Sequence, residues 1–148
     1  IAQEHFASER LERFLSERWQ RMSERREGPR VLLTTLPGDL HRLGLQMCAV
    51  ITALTGARVM YLGPDTPVEE IVRTASGESV AAISISIAPN MDPGQVTGNL
   101  TKLRKHLDSN IEIAVGGTGA PSKLEGINTF DSFKEYYNWL SHLRQINK

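Results

Sequence analysis

Residues 30–62 read RVLLTTLPGDLHRLGLQMCAVITALTGARVMYL, and the pattern decides the fold. Arg30 to Leu36 is short, apolar and rich in β-branched residues, which predicts a buried strand. Pro37 and Gly38 break it. Leu43 to Thr55 has helical periodicity and is closed by Gly56, and Ala57 to Leu62 reads as a second strand. A strand, a helix and a further strand of this length form a crossover unit, which joins parallel neighbours in one sheet.

The same alternation continues outward. Thr66-Pro67-Val68-Glu69-Glu70 places a capping threonine, a proline at the first helical position and acids in the first turn, so a helix is expected through about Ser76. Val80 to Ala88 is a third strand. Asp92-Pro93 opens another helix, running to about Leu107. Ile111 to Val115 is a fourth strand ending in Gly116-Gly117, and Gly126 to Phe130 makes a short fifth. Asp131 is expected to cap a closing helix in which Phe133, Tyr136, Tyr137, Leu140 and Leu143 recur at helical spacing. On the amino-terminal side, Ile1 to about Arg26 lacks proline and glycine, and Leu11, Phe14, Leu15, Trp19 and Met22 follow a helical period until Glu27-Gly28-Pro29 ends it. The expected organisation is a helix over residues 1–28 followed by an α/β domain over 30–148. Buried strands without polar alternation imply a parallel sheet covered on both faces. Five of them predict a flavodoxin-like, doubly wound sheet of order 2-1-3-4-5, with the ligand beyond the carboxyl ends of strands one and three.

Composition narrows the functions. The chain of 148 residues has 17 Lys plus Arg against 17 Asp plus Glu, so no overall field draws it to nucleic acid or anionic lipid. Cys48 is the only cysteine, which excludes an internal disulfide; among Leu45, Met47, Val50 and Ile51 it reads as a small core residue. No run approaches the ~20 apolar residues of a membrane span, and the charged start is unlike a secretory signal. A cytoplasmic protein is expected. The chain opens at Ile1, inside a helical pattern, as a fragment of something longer would.

The loop Pro37 to Leu45 holds the most informative chemistry. Histidine ligates a metal through one ring nitrogen when a neighbouring acid holds the proton of the other, and Asp39 stands two residues before His41. Gly44 and Ala49 leave room for a bulky ligand. Ser84 and Ser86 interrupt an apolar strand, and buried hydroxyls need partners, either backbone or ligand. Gly116-Gly117 reads as a strand-end turn or as a place where backbone meets a flat ligand. All three segments fall on one rim of the expected sheet.

Taken together these residues resemble the cobalamin-binding domain found in methionine synthase, mutases, corrinoid proteins and certain regulators, whose hallmark is Asp-x-His-x-x-Gly, then Ser-x-Leu, then Gly-Gly. The first stands as Asp39-Leu40-His41-Arg42-Leu43-Gly44 and the last as Gly116-Gly117. The middle motif departs from the pattern, because Ser84-Ile85-Ser86 has serine where leucine is usual. The resemblance covers about Arg30 to Lys148. It implies that His41 replaces the cofactor's own benzimidazole as the lower ligand of cobalt and that Asp39 bonds the imidazole nitrogen away from the metal. Arg42, Leu43, Gly44, Ser84, Ser86, Gly116 and Gly117 would then contact the cofactor or line the slot for its tail.

Glu4-His5-Phe6-Ala7-Ser8 and the wording around His41 look closest to the light-responsive, cobalamin-dependent regulators of the MerR-like class. At 100° per residue Glu4 and Ser8 fall beside Leu11, Leu15 and Met22. The resemblance implies that Glu4 and His5 face the corrin's upper side, with most of a capping bundle upstream of Ile1. Its implied role is a non-catalytic sensor, without catalytic residues, that controls a regulatory partner or an attached DNA-binding domain and does not itself touch nucleic acid; a homo-oligomer is left open. The competing role is a corrinoid carrier shuttling methyl groups between methyltransferase subunits, and a degenerate haem-binding domain ranks behind both. A phosphoacceptor receiver would need an acidic pair after strand one, and a flavodoxin a Ser/Thr-rich phosphate loop there; neither is present. Gly117-Thr118-Gly119 follows the fourth strand and meets Pro121, which is not a dinucleotide fingerprint.

Overall fold

The structure is a computed structural model describing residues 2–24 and 27–146. Helix α1 (Ala2–Ser23) precedes β1 (Arg30–Thr34), α2 (Leu43–Leu54), β2 (Arg58–Gly63), α3 (Val68–Gly77) and β3 (Ala82–Ser86). Then come α4 (Pro93–His106), β4 (Glu112–Gly116), β5 (Asn128–Thr129) and α5 (Phe133–Ile146). The five strands form one parallel sheet in the order β2-β1-β3-β4-β5, the flavodoxin-like arrangement expected from the sequence. The boundaries differ from the expected ones by a few residues, and Ile1, Arg25 and Arg26, at the ends of the expected first helix, lie outside the described residues.

Alternation within the strands sends different sizes of side chain to the two faces. Ile83 and Ile85 of β3 and Ile113 and Val115 of β4 pack against α3 and α4 through Ile71, Leu100 and Leu103. Their neighbours on the opposite face are small. Ala82 and Ala114 meet the layer of α2 and α5, where Leu45, Ala49, Ala53, Tyr136 and Leu140 are buried. One face of the sheet is packed solid, and the other leaves room towards the carboxyl ends of β3 and β4.

Two helix starts differ from expectation. Thr66 does not cap α3, because its hydroxyl is turned inward, accepting from Thr34 Oγ1 at 2.8 Å and approaching the Gly63 carbonyl. At α5 the cap is Ser132 rather than Asp131: Ser132 Oγ accepts from the Glu135 N–H at 3.2 Å, while Glu135 accepts from the Asp131 N–H. At α4 Asp92 accepts from the Gln95 N–H, as expected of a capping aspartate.

Helix α1 docks on the side of β2, the sheet's edge strand. Trp19 is buried and donates through Nε1 to Gln46 Oε1 of α2 at 2.7 Å, and Gln46 in turn donates to Tyr61 OH of β2. The Trp19 and Tyr61 rings stack with centroids 5.4 Å apart. Ser23 Oγ accepts from the Val59 N–H at 2.9 Å. The inward face of α1 runs through Glu12, Leu15, Trp19, Met22 and Ser23, so three residues of the expected stripe, Leu15, Trp19 and Met22, are buried or partly buried there. The other two, Leu11 and Phe14, are largely exposed, and Glu4 lies in solvent. Replacing Trp19 by alanine removes the indole from this junction and leaves Gln46 without its donor. The expected loss is ~3 to 5 kcal/mol, as for other large buried aromatics, measured by denaturant unfolding, with loss of α1 helicity in the far-ultraviolet circular dichroism.

Candidate functional site

Three loops meet beyond the carboxyl ends of β1, β3 and β4, and backbone contacts fix them to each other. The loop after β1 is held from beneath: Thr35 Oγ1 donates to the Asp39 carbonyl at 2.7 Å, the Asp65 N–H donates to the same carbonyl, and the Gly38 N–H donates to Asp65 Oδ1 at 2.7 Å. Gly38 has a φ of 86°, a conformation that glycine adopts without strain. Between β3 and β4 the chains nearly touch. A Cβ on Gly117 would lie 2.4 Å from the Ile87 carbonyl oxygen, and one on Gly119 would lie 2.0 Å from that of Ala88. The side chain missing at Gly117 is thus required by the protein's own backbone, whatever ligand lies above it.

Asp39 sits where these loops converge. It is 1% exposed, a position where a carboxylate needs partners. Its Oδ2 accepts from the Ala88 N–H at 2.9 Å and its Oδ1 from the His41 N–H at 3.1 Å. The same Oδ1 lies 3.3 Å from His41 Nδ1. Nδ1 faces the acid, and Nε2 is the ring nitrogen left for another partner. The His41 side chain is 61% exposed. Among the described residues no three His, Cys, Asp or Glu side chains are grouped to hold a metal ion by themselves. A lone oriented imidazole suits a metal that arrives already held by a macrocycle, since the protein then need supply only an axial ligand.

Two neighbouring cavities, one of them bordered by His41, share Gly44, Ser86, Gly117 and Thr118. The first is a cleft of about 670 Å³ between α1 and the sheet edge, bordered by His5, Ser8, Glu9 and Glu12 on one side and by His41 and Arg42 on the other. The second is a slot of about 500 Å³ running inward between the small face of the sheet and α5, lined among others by Gly44, Ser84, Ala114, Gly116 and Phe130. Both volumes lie in the usual range for ligand sites, ~300 to 1,000 Å³. A Cβ on Gly44 would come within 2.9 Å of Ser86 Oγ, so glycine keeps the slot's mouth open. Serine at position 86 leaves more space there than leucine would.

The residues singled out in the sequence divide as follows. Asp39, His41, Arg42, Leu43, Gly44, Ser84, Ser86, Gly116 and Gly117 gather at this edge, and His5 borders the cleft above His41. Glu4 does not border either cavity. Buried Ser84 has a protein partner, Tyr136 OH at 2.6 Å, which sequence reading did not identify. Asp65, Thr52, Ala114, Gly119 and Tyr136 were also missed as parts of the site; the small residues at alternate positions 82, 84 and 86, and at 114 and 116, were the available signal for the slot. Cys48 lines the slot as well. Burial pushes its thiol up to about 12, which fits a small apolar lining residue and not a nucleophile.

Comparison with known proteins agrees with this geometry. The "B12 binding domain" family model matches residues 29–131. Among curated proteins, the HTH-type transcriptional repressor CarA of Myxococcus xanthus is 28% identical over 127 residues, covering 86% of this chain and 44% of the repressor; the chain spans less than half of that relative's length. Among solved structures, a cobalamin-binding protein from Desulfitobacterium hafniense superimposes with a TM-score of 0.64 at 19% identity, over 78% of this chain and 58% of the other. The monomethylamine corrinoid protein of Methanosarcina barkeri gives 0.65 at 16% identity, over 93% and 65% respectively. At those identities the structural matches speak to the fold, which they share with this protein. The family match extends over most of the chain, from Pro29 through the three converging loops to the start of α5: this protein belongs to the B12-binding domain family, and its cofactor is a cobalamin.

Proposed function

We propose that the chain is the cobalamin-holding part of a sensor that controls a regulatory partner or an attached DNA-binding domain, responding to light through the cofactor's upper ligand. The observation that carries the cofactor half of this reading is the Asp39–His41 pair. A buried acid at Nδ1 fixes the tautomer and plane of the ring, which leaves Nε2 as the atom that would hold cobalt. An alkyl form of cobalamin, when bound, would supply a cobalt–carbon bond that light or a chemical trigger can break. The protein's part is to orient and enclose the cofactor.

In this reading the slot between the sheet and α5 takes the tail. Gly44 and Ser86 form its mouth, Ser84 and Gly116 its wall, and Gly117 holds the loop that closes it, while Arg42 and Leu43 shape the rim beside His41. The cleft under α1 would receive the upper side of the ring. His5 borders that cleft with Ser8 and Glu12, which favours His5 over Glu4 as the residue nearest the upper ligand. We further assign α1 to a helical cap rather than to the α/β domain proper, and the whole to a reducing, cytoplasmic setting in keeping with its single cysteine.

The sensor is preferred to a methyl carrier because the regulator CarA is the more similar in sequence, 28% identical against 16% for the corrinoid protein. Methyl transfer to a purified methyltransferase would favour the carrier; a light-dependent change in oligomeric state, followed by size-exclusion chromatography, would favour the sensor.

Absorption titrations with hydroxocobalamin and adenosylcobalamin test the ligation. His41→Ala is expected to lose the spectral shift of histidine ligation, and a variant whose bound spectrum equals that of the unchanged protein would refute the assignment. Asp39→Ala is expected to weaken binding by the ~10- to 100-fold typical of losing a residue that orients a metal ligand. It also strands the buried Ala88 N–H, so unfolding in denaturant should show a further cost of ~1 to 3 kcal/mol. Asp39→Asn, which retains an acceptor, is expected to recover part of that stability.

A further inference from the structure

The wall of the slot contains a chain of three buried hydroxyls. Thr52 Oγ1 donates to the Cys48 carbonyl at 2.7 Å. Tyr136 OH lies 2.8 Å from Thr52 Oγ1 and 2.6 Å from Ser84 Oγ. All three residues are buried, and the phenol is kept protonated because burial raises it well above its usual range. Each hydroxyl has one proton, so the sense of the whole chain follows from its fixed end. A carbonyl only accepts, hence the Thr52 proton points to Cys48. Thr52 must then accept from Tyr136, and Tyr136, its proton spent, must accept from Ser84.

Ser84 is the member of this chain that, with Tyr136, lines the slot. Its proton is committed inward, so towards the slot it offers lone pairs. Thr52 does not line the slot, yet it decides this.

We propose that Thr52, acting through Tyr136, sets the hydrogen-bond sense that Ser84 presents to the cofactor tail, and thereby handicaps a tail that brings a bare ring nitrogen to that wall. This deepens the cobalamin reading and rests on it. Once a protein imidazole takes the place of the benzimidazole on cobalt, the released ring nitrogen is an acceptor without a proton. Two acceptors face each other unless the hydroxyl chain turns round. Turning round takes the Thr52 proton off the Cys48 carbonyl, a loss comparable with one net hydrogen bond. A phenolic tail has no free ring nitrogen and asks for no reversal.

Thr52→Val isolates the effect. Valine has nearly the same shape but cannot accept, so Tyr136 donates to Ser84 instead and the Ser84 proton is released towards the slot. The whole chain is titrated, before and after this substitution, with hydroxocobalamin and with a cobamide of the same upper ligand bearing a p-cresol tail. Thr52→Val is expected to shift the affinity ratio towards the benzimidazole form by about three- to tenfold, the size of one net hydrogen bond. Thr52→Ser, which restores the hydroxyl, is expected to return the ratio of the unchanged protein. Equal loss for both cobamides, an unchanged ratio, or a shift towards the cresol form would overturn the proposal and leave cofactor binding intact. Failure of the unchanged protein to bind either cobamide would overturn the cofactor reading, and this proposal with it.

Discussion

The arrangement at the carboxyl edge depends on one buried carboxylate. Asp39 accepts from the backbone of the loop after β3 and from that of its own loop, and it meets the His41 ring. Removing it would separate β1's loop from β3's at the point where the winding of the sheet reverses. A buried anion is costly unless its oxygens are occupied, and here backbone N–H groups occupy both of them. The arrangement that stabilises the acid also presents the imidazole, so the orientation of His41 is a by-product of solving a burial problem. This makes Asp39 as much a tie between loops as a partner for the His41 ring.

Space at the site has an equally simple origin. Large side chains at 83, 85, 113 and 115 fill one face of the sheet, while Ala82, Ser84, Ala114 and Gly116 leave the other underfilled. Helix α5 covers that face without filling it, because its aromatic residues, Tyr136 and Trp139 with Phe130 beside them, pack with one another in tilted and stacked pairs. The slot is therefore a consequence of which residues are absent from one register of two strands.

Much of this was legible in the chain. The strand order followed from buried runs separated by helical periods, and Asp39, His41, Gly44 and Gly116-Gly117 marked the rim because their spacing needs no tertiary information. What escaped was long-range. Ser84 pairs with Tyr136, 52 positions away, and no local pattern announces that. Thr66 carries every sequence mark of a helix cap, yet Thr34 and the Gly63 carbonyl claim its hydroxyl. On α1 the apolar period placed Leu15, Trp19 and Met22 inward correctly while Leu11 and Phe14 stay largely exposed, and the bond from Trp19 to Gln46, 27 positions away, has no local signature.

The docking of α1 has one more effect, on solubility. A parallel sheet ending in β2 would expose outward N–H groups along an edge, a ready template for a strand from another molecule. Ser23 satisfies one of those groups at Val59, and Trp19 lies over Tyr61, so the helix that roofs the ligand cleft also blocks the edge against polymerisation. One helix thus has two duties along its length: its amino-terminal turns border the cleft through His5, Ser8 and Glu12, and its carboxyl-terminal turns cover the sheet edge.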